Sequence, residues 1–334
     1  MTGRFAPSPT GRMHIGNIYS ALLSWLSAKE QGGEWILRIE DLDPQRSRRE
    51  YALQIEDDLR WLGLQWDRGG TADSADGVRY MQSRRMDIYA HYLNELESKG
   101  LTYPCYCTRA DILAAVQAAS GAPHESDGRI IYPGTCRPDI KSEADMEQDT
   151  ITQEGVQKGN NARKNSSGKA STRLIVPDRT IHFTDRHYGP QAVNLATHCG
   201  DFVLRRADGA WAYQLAVVID DALMGVTEVV RGRDLLLSSA QQIYLYELLG
   251  FPAPSFAHLP LLINEQGQRL SKRDRSLDMQ HLRSLYTPEQ LIGIIAHAAH
   301  LIDRPEPISL SELLSLFSWS SIPTADILVR LSPL

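Results

Sequence analysis

The chain of 334 residues is long enough for two domains, and 42% hydrophobic with 23% charged residues is the balance of an ordinary globular protein. No apolar run approaches the roughly 20 residues that cross a bilayer as a helix, no positive-then-apolar leader opens the chain, and four cysteines are too few for a disulfide framework; a cytoplasmic protein with no membrane contact is expected. A formal charge of −6 does not mark a nucleic-acid binder, yet such binding depends on a local basic face that net charge averages away.

Residues 1 to about 100 alternate strand-like runs with longer helical patterns, which marks an α/β fold. The run Phe5-Ala6-Pro7-Ser8-Pro9-Thr10-Gly11-Arg12-Met13-His14-Ile15-Gly16-Asn17 reads as a strand, a Pro-rich turn and a helix opening at Asn17, whose side chain suits an N-cap. That helix carries Leu22, Leu23 and Leu26 at helical spacing and stops at Gly32-Gly33. Glu34 to Asp41 alternates as a strand, and Ser47 to Leu62 and Ser83 to Lys99 read as helices, the second closed by Gly100. Lys141 to Ser171 holds too few large apolar side chains to bury a core and reads as a long mobile loop. Order resumes at Arg173 to Val176 and in a strand over Thr180 to Thr184. Asp201 to Arg206, the turn Ala207-Asp208-Gly209 and Trp211 to Ile219 follow as strand, turn and apolar segment. Val226 to Arg231 is a strand, Asp234 caps a helix to Leu249, and Leu259 to Ile263 is a short strand before the Gly267 turn. The remainder is helical, near 278 to 300 and 309 to 317, and no internal repeat is visible.

Four places carry chemistry. In the first run Gly11 and Gly16 let backbone approach a ligand, and a polyanion there would meet N–H groups at a helix N-terminus beside His14. Glu40, in Arg38-Ile39-Glu40-Asp41-Leu42-Asp43, falls at a strand's C-terminal end, where α/β sheets place ligands. Gln268-Arg269-Leu270-Ser271-Lys272-Arg273-Asp274 is a basic loop after Gly267; alone it reads as a solvated turn. Cys105, Cys107 and Cys136 cluster in sequence and point to metal more than to redox chemistry, whereas Cys199 reads as packing. Tyr213 alone is a core aromatic, and Arg231 alone is a surface charge.

Together these stretches change the reading. The first resembles the "HIGH" signature of class I aminoacyl-tRNA synthetases, in the F-A-P-S-P-T-G form of the glutamyl branch, and R-L-S-K-R at 269–273 resembles their "KMSKS" loop. The resemblance implies an α/β fold with a Rossmann-type parallel sheet. Its first half would span 1–100, an inserted subdomain 101–195 with a zinc knuckle and the 141–171 loop, its second half 196–275, and a helical tail 276–334. It implies ATP as substrate with Mg²⁺, ATP contacts at His14, Gly16, Asn17 and Lys272, and His14, Asn17 and Lys272 as the catalytic set. A lysine on a mobile loop neutralises the charge that builds on departing pyrophosphate. Glutamate would be held by Arg4, Phe5, Ala6, Pro7, Ser8, Glu40, Tyr213 and Arg231. An arginine for the side-chain carboxylate favours glutamate over glutamine, because an amide would leave a buried guanidinium unpaired. Two departures are mild: Asn17 replaces the last histidine of the first signature, and Arg269 stands where lysine is usual.

The knuckle implied by the resemblance is Cys105, Cys107, Tyr132 and Cys136 around a structural Zn²⁺, with His124 a rival fourth ligand. Only about sixty residues follow the second signature, short of the roughly 100–150 of a typical domain, so no anticodon-binding domain is expected. Such a truncated form resembles the glutamyl-Q tRNA(Asp) synthetases. That implies tRNA-independent activation of L-glutamate by ATP and transfer to queuosine in the anticodon loop of tRNA(Asp), with no obligate protein partner. Two alternatives stand beside it: a glutamyl-tRNA synthetase charging the 3′ end of tRNA(Glu), and a non-catalytic paralogue. Intact Arg4, His14, Glu40 and Lys272 argue against the last.

Overall fold

Three of the four residues in β1 (Thr2–Phe5) and in β2 (Glu34–Leu37) are buried, the pattern of parallel strands covered on both faces. The two pair in parallel, with Arg4 opposite Ile36, and β3 (Arg68–Gly69) continues the sheet beyond β2. A computed structural model describes residues 1–72, 79–118, 131–138, 168–270 and 278–329. A second group runs in the order β7 (Gly189–Asn194), β6 (Thr180–Asp185), β10 (Ser255–Leu259), β9 (Glu228–Gly232), with only the β7–β6 pair antiparallel. The groups meet in step at β1 and β9: the Thr227 N–H donates to the Thr2 carbonyl (2.9 Å) and Arg4 reaches the Val230 carbonyl (3.3 Å). From β1 the chain winds outward to β2 on one side and, later, through β9 and β10 on the other. The C-terminal ends of β1 and β9 therefore flank a topological switch point, the place where open α/β sheets generally bind their ligands.

Helix α1 (Ile15–Glu30) crosses from β1 to β2 and buries Leu22, Leu23 and Leu26. Its core includes Trp35 and the tail helices α9 (Pro288–Ala298) and α10 (Leu310–Leu316), through Leu291, Ile295 and Leu313. A second core joins α3 (Met86–Ser98), α6 (Tyr213–Leu223) and α7 (Ser238–Leu248) through Tyr89, Leu93, Leu215, Ile219 and Leu245. Helices α2 (Arg49–Trp61), α4 (Arg109–Ala118), α5 (Leu195–His198) and α8 (Met279–Leu285) complete the helical set among the described residues. An antiparallel sheet of β4 (Thr102–Cys105), β5 (Ser171–Leu174) and β8 (Val203–Arg205) stands apart, with a small core of Tyr103, Cys105 and Tyr132. Short β11 (Leu262–Ile263) and β12 (Ile327–Leu328) pair in parallel. Among the described residues no helix is long and apolar enough to cross a membrane.

Several local expectations shift. Helix α1 opens two residues before Asn17, with His14 as N-cap: His14 Nδ1 accepts the Gly16 N–H (3.1 Å) and Asn17 Oδ1 accepts the His14 N–H (3.1 Å), a reciprocal box that uses Asn17 at the third position instead. Asp234 does not cap α7; it lies in a 3₁₀ turn, Arg233–Leu235, and its carboxylate pairs with Arg269. The single strand over Leu259 to Ile263 is two strands broken at Pro260, which cannot donate to a ladder. Ser83 to Arg85 is not helix α3 but a 3₁₀ turn and its cap. The strands also cross the boundary at 195: β6, before it, pairs with β10 in the parallel group, and β8, after it, pairs with β5 in the antiparallel sheet. Of the loop expected over 141–171, residues to 167 lie outside the described residues, and Ser171 already begins β5.

Candidate active site

Arg4 leaves β1 beside the switch point, buried, with Nε 3.4 Å from Asp221 Oδ1. Below it Arg38 is fully buried and donates to Asp221 Oδ1 (2.5 Å) and Glu40 Oε1 (3.1 Å). Asp220 is satisfied by Arg85 Nε (2.7 Å), Gln82 Nε2 (2.8 Å) and Tyr89 OH (2.8 Å). Every buried carboxylate in this floor thus meets a guanidinium or several donors, the condition for keeping charge out of water. Glu40 is fastened to the first signature by its N–H, which donates to the Pro7 carbonyl (3.0 Å). Burial pushes its carboxyl above the usual carboxylate range, against the pull of Arg38 and Arg4. An ammonium arriving beside it would restore the charged form.

Arg231 at the end of β9 is different. Its Nε donates to His258 Nε2 (3.1 Å), Nη2 to Ser239 Oγ (2.8 Å) and the Leu235 carbonyl (3.3 Å), and Nη1 to Tyr213 OH (3.4 Å). All these partners are neutral, and among the described residues no carboxylate forms an ion pair with it. Burial pulls its pKa below the ordinary arginine value. A buried guanidinium whose hydrogen-bond partners are neutral is chemically suited to a carboxylate.

The first signature supplies the other wall. Phe5 packs into the core against Trp35, with ring centroids 6.0 Å apart. Ala6, Pro7 and Ser8 carry the chain out of β1 to the turn, where the Thr10 N–H donates to the Ser8 carbonyl (2.8 Å). Gly16 keeps the His14 ring on the helix end, because a Cβ there would sit 3.0 Å from its Cε1. Since His14 Nδ1 accepts this hydrogen bond, the neutral form of the ring carries its proton on Nε2. Leu270 anchors the start of the second signature, buried and donating to the Leu262 carbonyl (3.0 Å). Lys272 lies outside the described residues, as does His124.

Apart from this crevice, the Cys105, Cys107 and Cys136 thiols lie within 4.8 Å of one another. Tyr132 OH stands among them, 3.3 Å from Cys105 Sγ and 3.8 Å from Cys107 Sγ, and accepts the Cys136 N–H (2.7 Å). Burial and the neighbouring Cys136 push the Cys107 thiol up to about 12. On Cys105, burial pushes up, but the Tyr132 and Arg173 contacts prevail and its thiol is lowered. Three soft donors at this spacing suit a tetrahedral Zn²⁺. Cys199 packs against the second core instead.

The sequence reading missed Arg38, Arg85, Asp185, Asp220, Asp221, Ser239 and His258. One signal was available: two adjacent aspartates, Asp220-Asp221, inside the apolar run of α6, where acids need partners.

Comparison with known proteins agrees with this geometry. Residues 1–299 match the family model described as tRNA synthetases class I (E and Q), catalytic domain. The glutamyl-Q tRNA(Asp) synthetase of Symbiobacterium thermophilum is 45% identical over 324 residues, covering 97% of this chain and 94% of that protein. The protein of the same name from Nitratidesulfovibrio vulgaris is 43% identical, covering 98% and 97%. Among solved structures, a glutamate tRNA ligase from Elizabethkingia meningosepticum in complex with its amino acid superposes with a TM-score of 0.75 at 29% identity, over 99% of this chain and 67% of that one. The parallel sheet and these matches together place the chain in the class I tRNA synthetase family of the E and Q type, among the glutamyl-Q tRNA(Asp) synthetases.

Proposed function

We propose that this enzyme activates L-glutamate with ATP, without needing tRNA, and transfers the glutamyl group to queuosine in the anticodon loop of tRNA(Asp). The observation that carries the amino-acid half is Arg231, a buried cation whose hydrogen-bond partners are all neutral, close enough to Arg4 and Asp221, the groups beside Glu40, to feel their charge. On this reading Arg231 and Tyr213 take the side-chain carboxylate, Glu40 the ammonium, and Arg4 with the Phe5-to-Ser8 turn the α-carboxylate. That carboxylate attacks the α-phosphate of ATP, pyrophosphate leaves, and a mixed anhydride with AMP results. His14, Gly16 and Asn17 at the mouth of α1, with Lys272 from the second signature, hold the phosphates in line. Catalysis is then positioning and charge stabilisation, with no covalent enzyme intermediate. Bound Mg²⁺ would supply further neutralisation of the phosphates.

In the second half a nucleophile on queuosine attacks the activated carbonyl and AMP departs. The acceptor assignment is supported by relatives of that name at 45% and 43% identity, against 29% for the glutamate tRNA ligase. Cys105, Cys107, Cys136 and Tyr132 would hold a structural Zn²⁺ that ties β4 to the segment around 132–136. The working compartment is the cytoplasm, where ATP, glutamate and tRNA meet.

The test incubates the protein with ATP, Mg²⁺ and labelled glutamate, with queuosine-bearing tRNA(Asp) or tRNA(Glu), and digests each tRNA to nucleosides. Label on the queuosine nucleoside is expected. Label on the terminal adenosine of tRNA(Glu) would instead make it an ordinary glutamyl-tRNA synthetase, and no label on either would refute catalysis.

A further inference from the structure

His258 stands directly across from Arg231 in the parallel pair of β10 and β9, and its ring is fully buried. Its Nδ1 lies 2.6 Å from Asp185 Oδ2, and its Nε2 receives the Arg231 Nε–H at 3.1 Å. Asp185 is itself fixed at the end of β6 by the backbone N–H groups of His187 (3.0 Å), Tyr188 (2.8 Å) and His258 (3.3 Å). Only one protonation pattern satisfies this line: the proton on Nδ1 facing the carboxylate, and Nε2 bare facing the guanidinium. A protonated ring, or the other tautomer, would set N–H against N–H.

We infer that His258, locked by Asp185, is a positioning residue that fixes the Arg231 guanidinium and so sets the enzyme's preference for an amino acid with a side-chain carboxylate. With Nε tethered to His258 and Nη2 to Ser239 and Leu235, the guanidinium plane is set, and its Nη1 side is directed to Tyr213. Four of its five N–H groups are then taken, which leaves one Nη1 N–H in a fixed direction for a substrate oxygen, and a buried cation favours a carboxylate oxygen there over an amide's. The neutral His258 ring supplies the acceptor and stands between Arg231 and the Asp185 carboxylate, so the guanidinium makes no direct ion pair with that acid. Burial, opposed by the Asp185 contact, lowers the His258 pKa to about 4, so the ring is neutral at working pH. The inference rests on Arg231 as the side-chain anchor.

The experiment is tRNA-independent ATP–pyrophosphate exchange at varied glutamate, glutamine and ATP, on His258→Phe, His258→Gln, Asp185→Asn and Arg231→Gln. His258→Phe keeps the ring and removes the acceptor; it should raise the glutamate KM about tenfold or more, the size of a hydrogen bond to a charged group. The ATP KM should stay within about twofold, and the glutamate-over-glutamine preference should fall. His258→Gln returns an acceptor and should recover most of the loss. Should the Phe variant fail to fold, Asp185→Asn, equal in shape, should give the same glutamate-selective rise. An unchanged glutamate KM in His258→Phe and Asp185→Asn, while Arg231→Gln raises it, would overturn the positioning role. Equal impairment in glutamate and ATP would do the same, as would no rescue by Gln. If Arg231→Gln also leaves the glutamate KM unchanged, the anchor reading itself falls.

Discussion

Arg38 and Arg231 carry the same group to similar depth and are neutralised in opposite ways. Arg38 faces Glu40, Asp220 and Asp221 within the fold; among the described residues Arg231 donates to hydroxyls, a carbonyl and an imidazole and lies over the Phe256 ring. Replacing Arg38 by Met strands buried carboxylates, so Arg38→Met should cost about 3–5 kcal/mol of stability, read as a lower urea midpoint. Arg231→Gln strands no carboxylate and should cost only about 1 kcal/mol, while glutamate KM rises at least about tenfold. His258 links the same site to pH. Its pKa is lowered from 6.5 to about 4 in the fold, so below pH 6.5 the unfolded chain takes up a proton that the native ring refuses. The stability this contributes is present above pH 6.5 and is lost as pH falls toward 4, up to about 3 kcal/mol. Urea unfolding at pH 7 and pH 5 checks it: the difference should shrink in His258→Phe, and an unchanged difference would assign the pH dependence elsewhere.

Among the elements, α9 shows how tightly the tail is bound. It begins with a capping box of Thr287 and Gln290, and midway a Cβ on Gly293 would lie 1.9 Å from the Glu306 carbonyl oxygen. Gly293→Ala should therefore cost about 2 kcal/mol or more through forced separation of α9 from the chain at 306–307, visible as a drop in Tm. The piece near 278 to 300 is two helices, α8 and α9, parted at the extended Tyr286 and Thr287, but the tail was legible as helical because apolar residues recur at helical period. Strands β4 and β7 were not, because Pro104 and Pro190 argue against a ladder. Both are edge strands, where a missing N–H faces no partner, and only the tertiary order reveals that. The site divides the same way. Arg4, His14 and Glu40 sit in contiguous signatures. Asp185 and His258 meet across 73 residues, and Asp220 meets Gln82 across 138, so no local pattern could pair them. Tyr213 and Arg231 were legible only through the family resemblance.

At the scale of the molecule, the segment 323–328 clasps the second half of the sheet. Asp326 accepts the Leu261 N–H (2.8 Å) and a fork from Arg233 (2.6 and 2.5 Å), while β12 pairs with β11, the strand that leads to the second signature. Asp326→Ala should loosen that approach and lower the rate of pyrophosphate exchange by severalfold, with glutamate KM little changed; equal effects on both would show a general loss of structure. The antiparallel sheet answers to a different control. Purified protein should carry about one zinc per chain, and Cys136→Ser should lose most of it by atomic absorption. No zinc in freshly prepared protein would remove the metal from the account.

The burial of Arg4, Arg38, Glu40 and Arg231 also separates the two substrates by their response to ionic strength. Buried charges are screened by salt much less than exposed ones, so raising salt should leave glutamate recognition nearly flat. A polyanionic tRNA held through surface lysines and arginines releases condensed cations on binding and should weaken steeply over the same range. Above a few tenths molar salt the enzyme would still turn over glutamate and ATP while its transfer step fell silent, so that the half-reactions come apart with no mutation at all.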